Sequence, residues 1–141
     1  MSLDSYAHGR LHALLVERRC QPFAWGTRDC ASLAFDAVLA TTGRDLFADL
    51  REAYTDARGA MQRLRELGGM RGLCRSRLGL RVDPADVIDG DVCQLQPAVC
   101  DGPSKAHGAL GVAWAGSVVA QGPNGLVTVD RAHALRWWRA A

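Results

Sequence analysis

Apolar residues recur at helical spacing through the first half of the chain and alternate at strand spacing through the second, with the change falling near Pro84. Leu3, Ala7, Leu11, Leu14 and Leu15 form one stripe, predicting an amphipathic helix over residues 4–18 with Asp4 or Ser5 as its cap. The next segment, 20–28, is rich in breakers and aromatics, as in a loop that packs against something. From Asp29 to Thr42 the residues Leu33, Ala34, Ala37 and Val38 line one face, Phe35 and Leu39 widen it, and Gly43 supplies a stop. That width predicts a buried helix with Asp29 at the N-cap and Cys30 as its first internal residue. The spacings Leu46/Leu50/Tyr54 and Ala60/Leu64/Leu67, broken at Gly59 and at Gly68-Gly69, predict two or three short helices over 46–79. Strands follow at 92–96, 110–114, 118–121 and 126–130, joined by turns at 115–117 and 122–125. Helices first and an antiparallel sheet second describe an α+β domain.

A length of 141 residues suits one domain, 1–141, able to bury a core without disulfides or metals. Seventeen basic residues against fifteen acidic ones leave a charge of +2. The arginines between Arg51 and Arg81 are interleaved with Glu52, Asp56 and Glu66, which describes a solvated helix surface and no nucleic-acid partner. The amino terminus lacks a basic stretch followed by an apolar segment, and no window reaches eighteen apolar residues, so synthesis in the cytoplasm and no stable membrane insertion are expected. Five cysteines at irregular spacing do not form a secreted disulfide framework.

Cys30 carries the candidate chemistry. Thiolate is the nucleophilic form of cysteine, and the unpaired amides of a helix amino terminus favour it. The same amides can hold an oxyanion on an attacked carbonyl, so Asp29 and Cys30 together make the cap and oxyanion site. A plain core cysteine would fit the pattern too.

The segment Pro22-Phe-Ala-Trp-Gly-Thr-Arg-Asp-Cys-Ala-Ser-Leu33 resembles the nucleophile motif of the NlpC-type, papain-like cysteine peptidases of the cell wall, in which an aromatic-Gly loop precedes Asp-Cys-Ser-Gly-Leu. Trp25, Gly26, Asp29, Cys30 and Leu33 match, whereas Ala31 and Ser32 replace the Ser-Gly pair. Gly90-Asp91-Val92 resembles the Gly-Asp step that opens that family's sheet, and the similarity covers residues 22–130. The resemblance is closest to compact phage-encoded relatives sited among tail genes. It implies a papain-like fold, with the cysteine-bearing helix packed on a C-terminal antiparallel sheet, and Trp25 beside a substrate or partner groove.

The family's base is a histidine two residues ahead of a strand glycine. Gly111 is the matching glycine, which places Ala109 where the histidine belongs. His107 lies two residues earlier, about 6.6 Å along a strand, so a bulge or slipped register would have to bring it to the thiol. The resemblance makes Gln121 the nearest candidate for the polar residue that orients the imidazole. His8, His12 and His133 fall outside the matched positions and are expected at the surface. Cys74, Cys93, Cys100 and His107 show no paired metal-ligand spacing, so neither metal nor other cofactor is expected. Trp114, Trp137 and Trp138 are expected to pack the sheet.

Two functions fit the resemblance. One is a structural component of a phage tail tip or baseplate, a degenerate peptidase whose partners are other tail proteins and whose place is the virion tail. The alternative is an active peptidoglycan endopeptidase or amidase that helps the tail penetrate the cell wall, with Cys30, His107 and Gln121 as its catalytic set.

Overall fold

Asp29 ends an extended stretch and accepts at 2.8 Å from the amide of Ser32, while the Ser32 hydroxyl accepts at 3.0 Å from the amide of Asp29. This reciprocal pairing satisfies two donors that a helix start otherwise leaves open, and it starts a helix at Cys30. The computed structural model describes residues 2–97 and 108–141.

Four α-helices and six strands follow from the described residues: α1 (Ser5–Arg18), α2 (Cys30–Thr42), α3 (Ala57–Glu66), α4 (Gly69–Arg77), β1 (Gly79–Val82), β2 (Val92–Leu95), β3 (Ala109–Trp114), β4 (Ser117–Gly122), β5 (Gly125–Val129) and β6 (Ala134–Ala140). The strands form one antiparallel sheet in the order β1-β6-β2-β3-β4-β5. The α+β architecture, helices ahead of an antiparallel sheet, is therefore the one the periodicity predicts.

The helix carrying Cys30 is the centre of the packing. Leu33 and Ala37 of α2 meet Leu11 and Leu15 of α1 and Val112 of β3. Ala34, Phe35 and Val38 meet Val92, Leu110 and Trp138. Burying side chains of this size contributes about 1.5–3 kcal/mol each, so α2 is fixed by contacts on both sides. Gly43 closes it in the left-handed conformation, its amide bonded to the carbonyl of Leu39. Leu39 itself is exposed and does not widen the buried face.

Three expectations need correction. The spacing of Leu46, Leu50 and Tyr54 does not make a helix: a short 3-10 turn at Ala48–Leu50 is followed by irregular chain through Tyr54. Leu50 turns inward with Phe47, whose ring stacks on Phe35 at 4.4 Å, so tertiary packing sets that spacing. Strands β1 and β6 were not expected, and β6 runs between β1 and β2. Trp137 and Trp138 do pack the sheet, on opposite faces: Trp137 clusters with Cys93 and Trp138 with Val92. Trp114 lies over α1 instead, stacked on His8 at 4.7 Å and His12 at 5.8 Å.

The family-like glycine Gly111 has a packing reason. A Cβ there would sit 2.4 Å from Val118 Cγ1, so glycine leaves the room that the Val118 side chain fills.

Candidate functional site

The loop ahead of Cys30 is held from both sides. The amide of Phe23 donates to Pro123 O at 3.0 Å, and Gln121 Nε2 donates to Gln21 O at 3.0 Å. Within the loop, Gly26 has φ +83, and a Cβ there would lie 2.4 Å from the carbonyl oxygen of Tyr54. Only glycine lets the two backbones approach this closely. Phe23 and Trp25 pack edge to face at 4.8 Å, and Trp25 extends the contact to Tyr54 at 6.4 Å.

Asp29 receives three donors. Ser32 N reaches Oδ1 at 2.8 Å, while Gly26 N at 2.9 Å and the Tyr54 hydroxyl at 2.6 Å share Oδ2. Burial, and after it the Asp29 charge, pushes the Tyr54 phenol well above its ordinary range, with Cys30 adding to the effect. Tyr54 is thus a neutral donor, and Asp29 is occupied as a cap.

Arg18 of α1 completes the support. Its guanidinium is buried and donates at 3.0 Å to each of Ser32 Oγ, Thr27 O and Asp36 Oδ2. Burial lowers its pKa against the pull of Asp36. Asp36 also binds Arg51, which in turn holds Asp45. One arginine therefore grips the chain before the cap and the first turn after it.

Cys30 is among the residues that line a cavity of about 110 Å³, with Trp25, Asp29, Tyr54, Met61, Leu64 and Gly108. The residue is buried in a cluster with Cys93, Leu95 and Ala109, so it faces the sheet. Burial raises the Cys74 thiol to about 12, with the nearness of Cys30 a smaller cause.

Residues 4–140 match the family described as a domain of unknown function, DUF6950. The chain belongs to that family. No curated protein and no solved structure gave a match.

In this DUF6950 chain the structure brings together Trp25, Asp29 and Cys30, three of the residues singled out by the sequence. His107 lies outside the described residues; its neighbour Gly108 lines the cavity. Gln121 is buried, but it does not line the cavity; its Nε2 bonds to Gln21 O and Gly122 O, and its Oε1 has no hydrogen-bond partner among the described residues. Ala109, which stands where the sequence resemblance would have a histidine, pairs with Leu95 inside the apolar cluster. Asp91 of the Gly-Asp step is structural: Arg139 Nε and Nη2 each donate to it at 2.7 Å, tying β2 to β6. Among the described residues no group of three His, Cys, Asp or Glu side chains is placed to hold a metal, and no helix is long and apolar enough to cross a membrane.

Sequence reasoning missed Tyr54, Arg18 and Ser32. Ser32 had a local signal: it stands three residues after Asp29, the spacing of a capping box. What looked like a departure from the family motif is the residue that completes the cap. Tyr54 and Arg18 arrive from 25 and 14 positions away and left no local trace.

Proposed function

We propose that this protein is a cysteine-dependent hydrolase of the papain-like, NlpC type that cleaves an amide bond of peptidoglycan stem peptides as part of a phage tail. The observation that carries the reading is the placement of Cys30 on the first turn of a braced helix, in the lining of a cavity. Cys30 Sγ attacks the carbonyl carbon and the first-turn amides hold the oxyanion. His107 takes the thiol proton and returns it to the departing amine, leaving a thioester that water hydrolyses. Gly108, the sequence neighbour of His107, lines the same cavity as Cys30, and this supports His107 as the base.

Ala109 favours the second reading, a tail tip or baseplate component that keeps the fold without the activity. It is a buried methyl group in the cluster that holds Cys30, at the position where the family has its imidazole. A nucleophile without its base retains little of its rate.

Release of soluble fragments from purified peptidoglycan separates the two. Activity in the wild type that is lost in Cys30→Ala and in His107→Ala supports the hydrolase. Equal inactivity of all three proteins, with Cys30 shown to be reduced, overturns it in favour of the structural role.

A further inference from the structure

The walls of the Cys30 cavity carry more chemistry than the thiol alone. Helix α3 presents Ala57, Ala60, Met61 and Leu64 to it, and none of these side chains is fully buried. An apolar stripe left half-covered beside a nucleophile is a surface that a ligand completes. Across from it, Phe23, Trp25 and Tyr54 supply aromatic area.

Little charge is available in the cavity. Both oxygens of Asp29 are occupied by Ser32, Gly26 and Tyr54. Arg63 already donates to Glu66 Oε2 at 2.9 Å, though its Nε is buried without a partner among the described residues. A volume of about 110 Å³ is somewhat smaller than the ~150 Å³ apolar cavity that accepts benzene, which fits a short aliphatic group. We infer that this cavity binds the aliphatic side chain of an acyl substrate, seated against α3 while its carbonyl carbon lies at Cys30 Sγ. The inference rests on the hydrolase reading for the identity of the acyl group, but the apolar preference of the cavity does not depend on turnover.

Alkyl methanethiosulfonates separate the two questions, because they label a thiol whether or not the protein is a working enzyme. Cys30 sulfur attacks the sulfenyl sulfur and a disulfide forms. Methanesulfinate leaves with the bonding pair, and the thiol proton passes to solvent. Labelling of Cys30 by methyl, butyl and sulfonatoethyl reagents is followed by peptide mass mapping, each rate divided by that for free cysteine. The butyl reagent is expected to exceed the methyl by about fiftyfold, from the burial of three further carbons, and to exceed the anionic reagent as well. Ala60→Trp, which fills the cavity, should abolish the butyl advantage, and Met61→Glu should reduce it. Equal normalised rates in the wild type, or a preference for the sulfonate through Arg63, overturn the inference even if peptidoglycan is cleaved. A butyl preference without peptidoglycan cleavage leaves the cavity assignment standing and removes the proposed hydrolase.

Discussion

The hydroxyl of Tyr54 donates to Oδ2 of Asp29 at 2.6 Å, which fastens an irregular segment behind α2 to the residue that caps the Cys30 helix. A hydrogen bond to a charged acceptor in a half-buried site contributes about 1.5–3 kcal/mol. Tyr54→Phe removes the donor and keeps the ring against Trp25. The expected result is a loss of stability of that order in urea unfolding, with faster alkylation of Cys30 as the cap loosens.

Asp29→Ala should cost more than Tyr54→Phe, since it strands the donors of Ser32, Gly26 and Tyr54 at once. About 2 kcal/mol from the lost cap, plus the buried Gly26 amide left unpaired, is the expected range. Asp29→Asn retains an acceptor and should recover a large part of it. Equal unfolding midpoints for the two variants would contradict the role assigned to Asp29.

Gly26→Ala tests the close approach of the two backbones. The new methyl meets Tyr54 O at 2.4 Å in a left-handed conformation, so strain of about 1–3 kcal/mol is expected. The same change at Gly43, whose Cβ would meet nothing within 4 Å, carries only the conformational cost and should be milder. The difference in midpoint between the two variants measures the contact.

Cys74 predicts a specific alkaline weakness. Burial, with a smaller contribution from Cys30, raises its thiol from 9.0 to about 12, so the folded state keeps a proton that the unfolded chain releases. Stability is then fully present below pH 9 and declines as pH rises from 9 towards 12. Tyr54 adds a loss of the same sign, but only above its ordinary value of 10.0. Urea midpoints between pH 9 and 10 should therefore fall in the wild type and fall less steeply in Cys74→Ala.

The parts of the fold legible in the sequence were those with local causes. Helix α2 announced itself by its apolar face and by Asp29 and Gly43 at its ends, because caps act within a few residues. Strand β6 was hidden because its buried residues Trp137 and Trp138 are adjacent and serve opposite faces, which breaks the alternation that marks a one-sided strand. Strand β1 has four residues, three of them exposed, too few to show a period. The site divides the same way. Trp25, Asp29 and Cys30 share one short segment, whereas Arg18 and Tyr54 are placed by packing between distant elements.

Strand order has a consequence for biosynthesis. The strand formed by residues 134–140 inserts between two that emerge from the ribosome much earlier, so β1 has no neighbour in the sheet until then. The nascent chain must hold an exposed sheet edge at β2 throughout this interval, and Arg139 arrives only then to neutralise the buried carboxylate of Asp91. Sheet completion in this protein therefore waits on residues 134–140, and a ribosome stalled before residue 134 would present an open edge.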